Sequence, residues 1–235
     1  MGSTPLTERS LLFVTGKGGV GKTTITAGLA QMLADQGRRV LACEIDAKGD
    51  LAGAFEIPPT GFEPVEVTAH LSLMAMDTEA SLREYLRLNL KIPVFGRIGP
   101  VAKAFDFLAT AAPGVREILT LGKFCWEVRE QSYDVVVVDS PATGHIVGLL
   151  AAPQGINELA KVGLIRNQTD WMLQILADES TTGLVIVTTP EEMPVSETVE
   201  LAASVREKTS VDLACVVVNR LLPERFGARE QEVFD

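Results

Sequence analysis

Leu11-Leu12-Phe13-Val14-Thr15 runs without a spacer into Gly16-Lys17-Gly18-Gly19-Val20-Gly21-Lys22-Thr23-Thr24. The second segment fills the pattern GxxxxGK[ST], which sets a strand, a glycine-rich loop and a helix in direct succession. Glycines let successive backbone N–H groups turn inward and form a nest for phosphate oxygens at the positive end of the following helix. Lys22 is the more telling residue, because a cation in the first helical turn opposes the helix dipole and is accounted for by a polyanion seated in the loop. Gly16, Lys17, Gly18, Gly19, Val20, Gly21, Lys22, Thr23 and Thr24 are therefore the candidate nucleotide-binding residues, and the Thr23 hydroxyl is a candidate ligand to Mg²⁺. The same glycines also satisfy the dinucleotide pattern GxGxxG, with Glu44 roughly twenty residues after Gly21, where a ribose-binding acid would stand. Lys22-Thr23 favours the first pattern, since a dinucleotide fold has no need of a lysine beside its diphosphate.

Short continuous apolar runs bounded by turn residues recur at 11–15, 40–45, 135–138 and 184–188, with a fifth at 213–218 and a weaker sixth at 71–76. Such runs are the pattern of parallel strands buried on both faces. Helical periodicity lies between them at 23–36, 79–90, 101–130, 155–178 and 194–208. Strands alternating with helices require right-handed crossovers and a sheet covered on both sides. The expected class is α/β: a P-loop NTPase with a mostly parallel sheet flanked by helices. One such domain over residues 1–235 is expected, with residues 77–131, where helical patterns follow one another without a convincing strand, as a helical insertion.

Composition narrows the partners. With 21 Lys+Arg against 31 Asp+Glu the formal net charge is −10, which argues against a nucleic-acid partner held by counterion release. At 46% hydrophobic and 22% charged the chain is globular in composition. Cys43, Cys125 and Cys215 are widely spaced and form no CxxC pair, so a disulfide framework is not expected and a reducing, cytoplasmic setting is. The apolar run at 11–14 is too short for a signal-peptide core, so no leader is expected. The longest uncharged stretch, 140–157, is broken by Pro141, His145, Pro153 and glycines, so no membrane span is expected.

Two acidic residues stand at strand ends. Asp46 closes the second run and Asp139 follows Val135-Val136-Val137-Val138, so both should emerge at the carboxyl edge of the sheet, where ligands bind in α/β folds. An apolar strand ending in Asp is the pattern of a carboxylate that holds Mg²⁺ directly or through water. Either carboxylate could instead cap the next helix.

Taken together, these residues resemble one family. Gly16-Lys17-Gly18-Gly19-Val20-Gly21-Lys22-Thr23 is similar to the deviant P-loop that carries a second lysine, and Asp139-Ser140-Pro141-Ala142-Thr143-Gly144-His145 looks like the switch sequence DTAPTGH. The pair indicates the arsenite-pump ATPase family, which includes the ATPase that delivers tail-anchored membrane proteins. The resemblance covers roughly residues 11–51, 113–150 and 184–223. It implies ATP and Mg²⁺ as cofactors and an ATPase whose two subunits enclose two nucleotides. Lys17 would reach the phosphates held by the partner subunit, Lys22 would bind its own, and Asp46, at the place of the first switch aspartate, would orient and deprotonate the attacking water. Thr23, Asp46 and Asp139 would make up the magnesium environment. Gly144 would contact the γ-phosphate, and Asn219 matches the adenine-binding asparagine. His145 is read as a switch residue with structural duty and His70 as a surface residue.

The chain departs from the family pattern in places. The first switch reads DPAH in the family and Asp46-Ala47-Lys48-Gly49 here, and the second exchanges its Ala-Pro order for Pro141-Ala142. Beyond Pro113-Gly114, where arsenite pumps carry a metalloid-binding cysteine, the run continues Val115-Arg116-Glu117 and Cys125 stands alone. Two segments are strongly apolar, one with Val101, Ala104, Phe105, Phe107, Leu108 and Ala109, the other with Trp171, Met172, Leu173, Ile175 and Leu176. Broad apolar faces belong to buried helices or to interfaces, and these fit core packing, a groove for the hydrophobic helix of a client protein, or a dimer contact. The expected function is Mg²⁺-dependent ATP hydrolysis in a nucleotide-switched dimer, of two copies or of a copy and a paralogue, coupled to a hydrophobic or membrane-protein partner. The alternatives are an arsenite-transport ATPase subunit and a non-hydrolysing nucleotide-dependent scaffold.

Overall fold

The computed structural model of the chain describes residues 4–90, 114–159 and 164–223. Its strands are β1 (Leu11–Gly16), β2 (Val40–Glu44), β3 (Val65–Thr68), β4 (Leu71–Ala75), β5 (Val135–Asp139), β6 (Thr182–Thr188) and β7 (Leu213–Val218). They form one sheet in the order β3-β4-β2-β5-β1-β6-β7. All pairings are parallel except β3 with β4. The six expected strands are present within a residue or two of their expected ends.

The helices are α1 (Lys22–Asp35), α2 (Asp50–Ala54), α3 (Thr78–Leu90), α4 (Val115–Arg129), α5 (Thr143–Leu159), α6 (Leu164–Ala177) and α7 (Glu192–Lys208). Alternation along the strands explains why the runs read as continuous apolar sequence. Leu11 and Phe13 of β1 join Val136, Val138, Leu184 and Ile186 in one core with Leu121, Phe124, Ile146, Leu149, Met172, Leu201 and Val205 of α4 to α7. Leu12 and Val14 face the other way, into a core with Leu29, Ala30 and Leu33 of α1 and Leu51 of α2. Both faces being dry, neither set of positions tolerates a polar side chain. Phe13 and Phe124 meet edge to face, 6.4 Å between ring centres, and each fully buried side chain of this size stabilises the fold by about 1.5–3 kcal/mol.

Two sequence readings need correction. β3 was not expected; its four residues are largely exposed, so no apolar run marks it, and it pairs antiparallel to β4 at the sheet edge. Helix α5 runs from the second switch straight through Pro153, whereas the proline and glycines suggested a broken segment. Its Ile146, Leu149 and Leu150 are buried against the sheet, which holds the helix together across the missing N–H. In α6, Met172 and Leu176 lie in the core with Trp171 and Ile175 packed on it, so that apolar face is satisfied within the chain. Within 77–131 the structure describes α3 and α4; the apolar segment at 101–109 lies outside the described residues. No helix among the described residues is long and apolar enough to cross a membrane.

Candidate functional site

Because β1, β2, β5, β6 and β7 are parallel, their carboxyl ends share one edge of the sheet. Five loops start there, at Lys17, Ile45, Ser140, Thr189 and Asn219. Backbone bonds carry the ladder past the strand ends: Ser140 N–H donates to Val14 O (2.9 Å), Ile45 N–H to Asp139 O (3.2 Å) and Asn219 N–H to Thr188 O (2.8 Å). The loops are thus anchored at their roots by the sheet itself. Chain order reverses around β1, whose neighbours are β5 and β6, the kind of switch point where α/β folds bind ligands.

The Gly16–Gly21 turn is fixed by close packing at its two ends. A Cβ on Gly16 would stand 2.1 Å from Val187 O of β6. Gly21, at φ 94°, precedes the first residue of α1, and a Cβ there would meet the Asn219 Nδ2 at 2.5 Å. The left-handed φ alone disfavours any L side chain. Between these ends, nothing lies within 4 Å of the Cβ positions of Gly18 and Gly19, so the loop faces open space. A cavity of about 420 Å³ adjoins it, lined among others by Lys17, Gly18, Gly19, Thr189 and Arg220.

The structure brings Thr23 and Asp139 together. Thr23 Oγ1 donates to Asp139 Oδ2 at 2.6 Å and Thr26 Oγ1 approaches Oδ1 at 3.4 Å. Asp139 is only 8% exposed, and burial pushes its carboxyl above the ordinary carboxylate range, against the downward pull of the Thr23 bond and Lys22. Glu44 stands beside it in register on β2 and adds to the upward push. A buried carboxylate of raised pKa next to a threonine hydroxyl is a hard-oxygen site short of positive charge, which is the donor chemistry Mg²⁺ takes. Lys22 Nζ donates to Lys17 O at 3.3 Å, holding the ammonium across the loop. Thr24 is exposed.

Other expected site residues are placed differently. Asp46 lies two residues past the end of β2, half exposed, with its Oδ2 3.6 Å from Lys48 Nζ, and it contacts neither Thr23 nor Asp139 in the described hydrogen bonds. Gly144 is exposed in the first turn of α5. Asn219 is committed to the P-loop: its Nδ2 donates to Val20 O at 2.9 Å, and its Oδ1 accepts from Arg220 N–H at 2.9 Å. Lys17 does not point into solvent but pairs with Glu197 of α7. The other oxygen of that carboxylate accepts from Thr143 Oγ1 at 3.2 Å.

Two residues have roles that the sequence did not disclose. Glu44, 4% exposed, accepts the backbone N–H groups of Lys48, Gly49 and Asp50 at 3.0–3.2 Å. It therefore pins the loop after β2 and caps α2, and with its oxygens so engaged it does not offer a free acid to a ribose. Glu197 was invisible because one Glu on a helix carries no motif. Among the described residues no group of three or more His, Cys, Asp or Glu is placed to hold a metal. The thiols of Cys43 and Cys125 are fully buried, and burial pushes Cys125 up to about 12 and Cys43 higher still.

The family described as anion-transporting ATPase matches this chain over residues 9–174 and 158–232. An ATPase of Mycobacterium tuberculosis, BagA, is 34% identical over 231 residues, covering 94% of this chain and 67% of the relative. A putative arsenical pump-driving ATPase of Halobacterium salinarum is 31% identical over 95% of this chain and 37% of its own length. The ATPase get3 of Neurospora crassa is 34% identical over 69% of this chain and 49% of its own length. The chain thus spans about two thirds of the mycobacterial relative and less of the other two.

Proposed function

This chain belongs to the anion-transporting ATPase family, and from that premise we propose that it hydrolyses MgATP in a nucleotide-switched dimer that acts on a hydrophobic or membrane-protein partner. The observation that carries the reading is the Thr23–Asp139 pair at the foot of a glycine loop that opens onto space at the carboxyl edge of the sheet. In this reading Lys22 and the loop amides hold the β- and γ-phosphates, and Thr23 and Asp139 hold Mg²⁺. When bound, Mg²⁺ neutralises phosphate charge and fixes the phosphate orientation. Catalysis is mainly electrostatic, from ammonium groups and backbone N–H groups aimed where negative charge accumulates. Asp46 orients the attacking water once the first switch closes, and Gly144 brings the second switch onto the γ-phosphate. Asn219 supports Val20 from below and stands beside the base. Lys17 supplies its charge to the nucleotide of the other subunit.

Nucleotide binding and phosphate release by two variants test this division of labour. Lys22→Ala should weaken ATP binding by at least tenfold, the loss of a charged hydrogen-bonding group of about 1.5–3 kcal/mol. Lys17→Ala should bind ATP nearly as well as wild type while hydrolysis falls. Equal loss of binding in both would contradict the role of Lys17 across the interface. An arsenite-transport ATPase subunit is the less favoured reading, because Cys43 and Cys125 are buried and Cys215 partly so, burial raises all three thiols, and the thiolate is the metal-binding form.

A further inference from the structure

Lys17 and Glu197 are 180 residues apart in sequence, yet their side chains form an ion pair in which each is about a third exposed or less. The carboxylate is shared. Glu197 Oε1 takes the Lys17 ammonium, while Oε2 accepts from the hydroxyl of Thr143, the first residue of α5 and the start of Thr143-Gly144-His145. One side chain therefore ties the phosphate loop to the second switch. Its own position is firm, because Pro194, Thr198, Leu201 and Val205 are buried along the adjoining flank of α7. Lys17 also lines the cavity beside the loop, to which the first turn of α7 contributes.

An ammonium neutralised by a carboxylate has little charge to offer a phosphate. For Lys17 to act on the nucleotide of a second subunit, it must leave Glu197, and the same departure unseats the partner of Thr143. We propose that Glu197 is a positioning residue that latches Lys17 and Thr143 together in the single subunit, and that phosphate oxygens replace it as the dimer assembles on ATP. The latch sets how much ATP is needed to assemble the dimer, and it makes release of the P-loop lysine and of the second switch a single event. The proposal rests on the role of Lys17 across the interface given above. Glu197 is held below the usual carboxylate range by the Lys17 bond, consistent with a carboxylate that stays charged whenever the lysine is present.

The test is the ATP dependence of assembly, followed by light scattering in the presence of Mg²⁺, for wild type, Glu197→Gln and Glu197→Ala, with melting curves to show that the variants fold. Glu197→Gln keeps an acceptor for Thr143 and removes the charge. Partly exposed ion pairs are weak, so its half-saturating ATP concentration for assembly should fall by about threefold, and Glu197→Ala should fall at least as far. A residue of merely structural value would shift assembly the other way when removed. If wild type assembles on ATP while both variants need as much ATP or more, the latch is wrong and the dimer reading stands. If neither wild type nor variants assemble, the dimer reading fails and the latch fails with it.

Discussion

At the scale of single residues, Asp139, the carboxylate proposed to hold Mg²⁺, is unusual in its electrostatics. Burial raises its carboxyl above the ordinary 3.8, so folding takes up a proton there at pH values between the unfolded and folded pKa. A carboxyl raised in this way contributes its stability below its unfolded pKa and loses that contribution as pH rises through the folded value. At neutral pH the ionised group is a cost that a bound cation relieves. Asp139→Asn should therefore melt a few degrees higher than wild type at pH 7 without nucleotide, with the gap closing toward pH 4. The order should reverse in MgATP, because wild type alone is strongly stabilised by the ligand. Thermal melts across that pH range check both signs, and a variant less stable than wild type at pH 7 without nucleotide would contradict the account. Neighbouring Glu44 is equally buried in register but spends its oxygens on three backbone N–H groups of the loop after β2. Two adjacent carboxylates thus have different tasks, one holding chain and one left short of a cation.

Among the elements, what packs on both sides was legible and what packs on one side was not. The strands β1, β2, β5 and β6 are dry on both faces, and no other structure explains four or five consecutive buried apolar residues bounded by turns. β3 left no such trace because it covers one edge with exposed residues. Helix α5 was hidden by Pro153 and its glycines, since the contacts that outweigh them come from distant strands. The site divides the same way. The Gly16–Thr24 loop and Asp139 were readable because local spacing determines them, whereas Glu197 reaches Lys17 only through the crossover that brings α7 beside β1. The joining of α3 to α4 is another long-range product. Lys123, 5% exposed in its side chain, bonds Glu84 of α3 and Glu127 of α4 at 2.7–2.9 Å and lies 4.9 Å from the ring centre of Phe62. Burial alone would lower its pKa, but the bonds to Glu127 and Glu84 raise it, so it stays charged. Lys123→Ala would leave two partly buried carboxylates without their cation and should cost about 3 kcal/mol, read as a lower urea midpoint. A loss of only about a few tenths of a kcal/mol, far below that of a broken buried pair, would show that the cluster is dispensable.

For the whole molecule, the function proposed above is that of a switch that is off until two subunits meet. Thr23, Asp139, Lys22 and the loop are assembled within one chain. Asp46 sits half exposed beside Lys48 and Lys17 is held by Glu197, so both groups proposed for catalysis are engaged by other side chains. A monomer so built should bind nucleotide and hydrolyse it slowly, and closure should bring these groups in. The altered first switch, with Ala47 in a left-handed conformation at φ 48° and Glu44 pinning the residues after it, makes Asp46 the group whose movement the mechanism most requires. The most direct test is the solution mass of wild type and Asp46→Asn in ATP and Mg²⁺ against ADP and Mg²⁺, with phosphate release followed on the same samples. The account predicts that the variant is held by ATP at twice the 25.3 kDa chain mass with turnover lost, while wild type cycles back toward monomer as phosphate appears. Both proteins remaining at the mass of one chain with ATP bound would contradict it.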